Sequence, residues 1–267
     1  MRNRRYLLAA CAVGLTACFA LQTAEAGRLA GRRSLNTKPH GYQIVSDVVR
    51  AGRAAQRFEV RAGDCGADSG WSDCKNDRER SEFVPRQSWR YGTNQWIGFS
   101  VYLPKDFQTS KRVRTTVGQI HQRGGPTGKA GGLPSFPPMM QMEMQYDLYY
   151  LGVHILSGPA SNVRDDVRKF PLARVSDMRG RWTDIIIHFD TSGGRERLEV
   201  FVDGSQKASL EKWITFRPRE YYFKYGIYRS FVSRNGGPMP TQILYVDEVK
   251  MGRSRAGVTA DTAHPVD

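Results

Sequence analysis

Three short segments hold side chains of the kinds that acid–base chemistry on an anionic substrate needs. Arg78-Glu79-Arg80-Ser81-Glu82 supplies guanidiniums and carboxylates, and Gln119-Ile120-His121 supplies an amide and an imidazole. Tyr222-Phe223-Lys224-Tyr225-Gly226-Ile227-Tyr228-Arg229 adds phenols, an ammonium and a further guanidinium. If each segment is a β-strand, alternate side chains share a face. Arg78, Arg80 and Glu82 then fall together, as do Gln119 and His121, and Tyr222, Lys224 and Tyr228. Ile120, Phe223, Tyr225 and Ile227 point the other way. A single sheet face with these groups can neutralise an acid, remove a proton and return one. Any one of the strands alone would look like an ordinary solvent-facing edge of a sheet.

The surrounding sequence predicts the sheets that must position them. Short alternating or apolar runs are separated by Gly, Pro, Asn and Asp, the pattern of an antiparallel β protein. Strands are expected over 96–103, 115–121, 139–150, 153–157, 182–190, 197–203 and 243–251, with turn signals at Asp203-Gly204 and Ser192-Gly193-Gly194. Only 45–57 reads as a short helix, and 165–172 as a turn. Many short strands and few helices imply an all-β fold, a two-sheet antiparallel sandwich of jelly-roll type with a concave cleft. The Gly/Pro-dense segment 123–138 directly follows His121 and is a candidate lid.

Composition sets the compartment and the class of partner. Arg2, Arg4 and Arg5 precede an apolar run from Tyr6 to Leu21, and Ala24-Glu25-Ala26 closes residues 1–26 as an export signal. Leu15-Thr16-Ala17-Cys18 also resembles a lipobox, in which Cys18 would carry a lipid anchor. The apolar run is short for a transmembrane span and is broken by Gln22 and Glu25. Residues 27–38 read as a basic linker, 39–254 as one domain and 255–267 as a flexible tail, in a monomer that is periplasmic or secreted. The chain has 40 Lys and Arg against 26 Asp and Glu, a net charge of +14, which favours capture of polyanions. An exported protein meets acidic polysaccharides more often than nucleic acid, and no nucleic-acid motif accompanies the charge. Cys65 and Cys74, nine positions apart in a polar stretch, read as a local disulfide. No second Cys/His pair offers a metal site, no cofactor is expected, and a structural calcium at Asp203, Asp247 or Glu248 would lack a compact motif.

The ordered triple RSE, QIH and YFKxGxY resembles the three motif regions of the jelly-roll alginate lyases, which usually read R-[ST]-E-x-R, Q-[IV]-H and Y-F-K-A-G-x-Y-x-Q. The ending GIYR and the closing strand LYVDEVKMG are more similar to the glucuronan-lyase and heparin-lyase-like relatives. The resemblance spans Arg78 to Gly252. It implies cleavage of a uronate-containing polysaccharide by β-elimination, endolytic in mode, with Arg80 and Gln119 on the substrate carboxylate. It places Tyr228 beside C5 and the glycosidic oxygen, with His121 nearby. At a syn bond, as in mannuronate, Tyr228 would be both base and acid; at an anti bond, to which glucuronate is assigned here along with guluronate, His121 would be the base and Tyr228 the acid. Lys224 and Arg229 are implied subsite residues, with Arg78, Tyr222 and Arg123 as lesser candidates and Glu82 orienting Arg80. His188 in IIIHFD is a further candidate if it faces the cleft. The second arginine of the first motif is missing, Tyr225 replaces a small residue and Ser230 replaces a glutamine, all at positions read as subsites. The rival reading is a non-catalytic module that binds acidic glycans. A hydrolase would need two flanking carboxylates, for which only Glu143 and Asp147 are placed.

Overall fold

The computed structural model describes residues 29–123, 137–159, 162–214 and 217–261. The first seven strands are β1 (Gly31–Ser34), β2 (Tyr42–Val45), β3 (Ala55–Val60), β4 (Arg78–Pro85), β5 (Ser88–Trp89), β6 (Asn94–Tyr102) and β7 (Arg114–Arg123). They are followed by β8 (Met140–Gln145), β9 (Leu148–Ser157), β10 (Arg164–Arg174) and β11 (Trp182–Asp190). The chain closes with β12 (Arg197–Val202), β13 (Ser205–Glu211), β14 (Glu220–Ser230) and β15 (Gln242–Gly252). They form two sheets. One has eight strands in the order β1-β4-β14-β7-β8-β9-β10, with β5 extending alongside β14; the other runs β13-β12-β11-β6-β15-β3-β2. Every pair of neighbouring strands is antiparallel. The fold is the all-β sandwich that the alternating runs predict.

The core lies between the sheets. Phe223, Tyr225 and Ile227 of β14 are fully buried there with Ile120 of β7. Phe99 meets Phe223 at 5.3 Å between ring centroids, and Phe58 meets Tyr225 at 5.8 Å. Burying a large apolar side chain contributes about 1.5–3 kcal/mol, so this row fixes which face of β14 turns inward. The alternate residues Tyr222, Lys224 and Tyr228 are thereby forced onto the outer face of the eight-stranded sheet.

Several local expectations are corrected. Residues 45–57 hold no helix: β2 ends at Val45, a turn follows, and β3 starts at Ala55 so that Phe58 and Val60 bury at strand spacing. Residues 165–172 are not a turn but the middle of β10, an edge strand whose exposed charges hide its alternation. The stretch 139–150 is a hairpin, reversing at Tyr146, where φ is +55°. The basic linker contains β1, which pairs Ser34 with Glu82. In the tail, Val258 packs with Ile186, Phe201 and Trp96. The export signal with Cys18, and residues 124–136 of the expected lid, lie outside the described residues.

Candidate active site

Strands β4, β14 and β7 are neighbours, and their register places the three motifs side by side. Tyr228 pairs with Arg80 and Gly226 with Glu82 on one flank. Lys224 pairs with Gln119 and Tyr222 with His121 on the other. A bulge in β14 lies between Tyr225 and Tyr228, opposite β7. Gly226 sits in it with φ +126°, and a Cβ there would stand 2.4 Å from the Ser81 carbonyl oxygen. Only glycine accommodates both the backbone angle and the close approach.

Glu82 is the hub of the face. It is 2% exposed and receives Arg80 Nη1 at 2.9 Å and Lys224 Nζ at 2.8 Å. Gln119 Nε2 donates to its other oxygen. Burial alone would raise the Glu82 carboxyl, but Lys224 and Arg80 hold it below the usual carboxylate range. Burial also pushes the Lys224 ammonium down, against the pull of Glu82. Arg80, 6% exposed, places its guanidinium carbon 4.2 Å from the centre of the Tyr228 ring. Three of its five N–H donors are engaged, two by Asp73 and one by Glu82.

Tyr228 is half-buried, and its phenol oxygen accepts from Arg78 Nε at 3.1 Å. The Arg78 guanidinium lies 3.6 Å over the Phe231 ring. His121 stacks on Tyr222 at 5.4 Å, and its Nδ1 accepts the Gln122 backbone N–H at 2.8 Å. Burial, then the Lys224 charge, push its imidazole down to about 4, so it is uncharged near neutral pH. Arg123 is exposed at the rim, 4.3 Å over the Tyr222 ring. Arg78, Arg80, Gln119, His121, Arg123, Tyr222, Lys224 and Tyr228 thus occupy one face.

Two predicted binding residues are elsewhere. Arg229 points to the opposite side of β14 from Tyr228 and is fully buried, 2.5 Å from Glu79 and donating to the carbonyls of Pro240 and Arg61. It anchors the strand and cannot meet a polymer. His188 belongs to the other sheet, where it stacks 3.9 Å from Trp96 and bonds Glu199 and Asn94. Tyr225, read as a subsite position, lies in the core with its hydroxyl on Gln56 at 2.9 Å.

The motifs did not reveal Asp73, whose only signal was an acid beside Cys74 just ahead of Arg78. They also missed the adjoining row in which Gln141 bonds Thr116 at 3.2 Å and His154 bonds Gln141 at 3.2 Å. Cys65 and Cys74 form the expected disulfide. Among the described residues no group of three or more His, Cys, Asp or Glu could hold a metal ion, and no helix is long and apolar enough to cross a membrane.

Known proteins share this architecture. The endo-β-1,4-glucuronan lyase of the fungus Trichoderma reesei superposes with a TM-score of 0.64 at 20% identity, covering 88% of this chain and 94% of that one. An alginate lyase from Corynebacterium sp. gives 0.52 at 12% identity, over 82% and 92% of the two chains. The exolytic family 7 alginate lyase of Zobellia galactanivorans gives 0.52 at 11% identity, over 80% and 88%. At such identities the likeness is one of fold. No curated protein matches the sequence. The model of the polysaccharide lyase family, however, matches residues 24–250. The chain therefore belongs to the polysaccharide lyase family, and it is a carbon–oxygen lyase acting on polysaccharides.

Proposed function

We propose that the protein cleaves a polymer of β-1,4-linked D-glucuronate, or a closely similar polyuronate, by β-elimination within the chain. The observation that carries this reading is the convergence of Arg80, Gln119 and Lys224 on one buried carboxylate, Glu82, with Tyr228 against Arg80 and His121 against Tyr222 on the same face. The C5 proton of a uronate is removable only once the neighbouring carboxylate charge is offset. Gln119 and the remaining N–H donors of Arg80 meet that carboxylate, together with His121 Nε2–H, which is the donor of the neutral ring when Nδ1 accepts from Gln122.

In D-glucuronate, as in mannuronate, the C5 hydrogen and the C4 oxygen lie on the same side of the ring, which corrects the assignment of glucuronate to the anti case, so one group can serve both. Tyr228, as its phenolate, takes the C5 proton to become the phenol, the C4–O bond breaks as C4=C5 forms, and the phenol gives that proton to the departing oxygen and is again the phenolate. Arg78 at its oxygen and Arg80 at its ring offset the negative charge of the phenolate that begins and ends the transfer. Arg123 and Tyr222 at the rim hold a neighbouring sugar. Likeness in fold to a glucuronan lyase supports the choice of polymer. The disulfide suits an oxidising compartment, in keeping with an exported enzyme.

The test is a panel of glucuronan, polymannuronate, polyguluronate and a glycosaminoglycan, followed by the ultraviolet absorbance of the unsaturated uronate. Absorbance that rises fastest on glucuronan and is lost in Tyr228→Phe is the expected result. Turnover of polyguluronate alone would contradict the same-side geometry.

A further inference from the structure

We infer that Asp73 is a positioning residue for the elimination, held in place by the Cys65–Cys74 disulfide, so that the lyase is active in its oxidised form. The inference rests on the reading of Tyr228 as the proton-transferring group.

Asp73 is fully buried, although most of the loop that presents it is exposed. Its two carboxylate oxygens grip Arg80 in a fork, Oδ2 to Nε at 2.5 Å and Oδ1 to Nη2 at 2.6 Å. Trp71 Nε1 donates to Oδ1 at 2.9 Å and fixes the carboxylate in turn. Glu82 reaches Arg80 through Nη1 alone, a single contact about which the guanidinium could swing. A two-pronged pair sets the plane of the guanidinium as well as its position. That plane is the surface on which the Tyr228 ring rests, at 4.2 Å. Asp73 therefore acts on Tyr228 through Arg80.

The loop is held by turn hydrogen bonds and the disulfide rather than by a core of its own: Asp68 Oδ1 accepts the Gly70 and Trp71 N–H groups, and the Asp73 carbonyl accepts the Arg78 N–H at 2.9 Å. Residues 67–70 are exposed, and no apolar side chain between Cys65 and Cys74 is buried in the core. The Asp73 N–H donates to the Gly66 carbonyl at 2.8 Å, and Ala67 and Ser72 form an isolated bridge. These bonds join the same two ends that the disulfide ties, immediately beside Asp73. A polar loop without a core of its own gains most of its order from such a link. Reducing it loosens the loop that carries Asp73 and leaves the Asp73–Arg80 pair to order that loop unaided, so the Arg80 plane is less well fixed.

The experiment compares wild type, Asp73→Asn, Cys65→Ser/Cys74→Ser and the combined variant. It measures kcat, KM and Tm on whichever polyuronate the wild type cleaves, and the nitrogen–proton NMR resonance of Arg80 Nε in each. Displacement of a catalytic group by about 1 Å costs up to about a hundredfold, so kcat is expected to fall tenfold or more in Asp73→Asn with KM little changed. The serine pair is expected to lower kcat similarly, and the combined variant no further, because both act through one contact. The exchange-protected Arg80 Nε resonance is expected in wild type only. Unchanged kcat in Asp73→Asn, losses that multiply in the combined variant, or an Arg80 signal that survives both changes would overturn the inference. If Asp73→Asn does not fold, the serine pair decides by the same two readouts. A wild type that cleaves none of the polymers would sink the lyase mechanism instead, while the Arg80 resonance still tests the coupling.

Discussion

Lys224 Nζ and Glu82 Oε2 lie 2.8 Å apart at the floor of the candidate site, with both side chains almost wholly removed from solvent. This pair joins the third motif to the first, and Gln119 joins the second to both through the same carboxylate. Glu82 is therefore the point at which three distant segments of sequence become one site. Removing one partner of a buried ion pair leaves its opposite uncompensated and costs about 3–5 kcal/mol. Glu82→Gln is expected to lose stability on that scale and to lose lyase activity, as measured by denaturant unfolding and by the ultraviolet assay.

The Gly226 bulge re-aims the strand between the core residue Tyr225 and the site residue Tyr228. Gly226→Ala would force an L residue to φ +126° with its Cβ 2.4 Å from the Ser81 carbonyl. Such backbone strain costs about 1–3 kcal/mol, and the clash with backbone adds to it. A lower Tm with reduced kcat is expected; a Tm equal to wild type would show that the bulge is not required.

Arg229 and Arg123 give opposite expectations. Arg229→Met breaks the buried pair with Glu79 and is expected to cost about 3–5 kcal/mol in unfolding while leaving KM of the surviving folded fraction unchanged. Arg123→Ala, at the exposed rim, is expected to raise KM several-fold and leave Tm unchanged.

Burial makes His121 a pH-dependent element of stability. Its imidazole is pushed from the ordinary 6.5 down to about 4 in the folded protein, so the unfolded chain binds the extra proton first as pH falls. Stability from this group is complete above about pH 6.5 and is lost progressively as pH falls toward 4. The decline in Tm over that window is expected to be shallower in His121→Gln than in wild type. Equal slopes would contradict an uncharged His121.

The fold and the face of the site were legible because period-two alternation is a strong signal wherever one side of a strand is buried. Alternation alone set Phe223 and Ile227 opposite Tyr222, Lys224 and Tyr228; it set Tyr225 there too, although the motif comparison read that position as a subsite. Arg229 was misjudged because alternation sets a face, while its cationic head suggested solvent; the inward position became tolerable only through Glu79, far away in sequence. His188 was misplaced because sequence does not say to which of two sheets a strand belongs. Strand β10 was hidden by charges that protect an edge. Asp73 carried no periodicity at all, since its role depends on a disulfide-tied loop folding back over β4.

The most direct test of the central claim is the mass of the products released from a polyuronate by the wild-type enzyme and by Tyr228→Phe. Each elimination leaves an unsaturated uronate, lighter by one water than the hydrolytic product, at the new non-reducing end, so only the fragment that keeps the polymer's original non-reducing end stays saturated. Wild type is expected to release fragments that are all unsaturated apart from that terminal one, and Tyr228→Phe folded to the wild-type Tm is expected to release none. Saturated fragments formed at every cleavage, or unsaturated ones produced at wild-type rate by Tyr228→Phe, would contradict elimination through Tyr228.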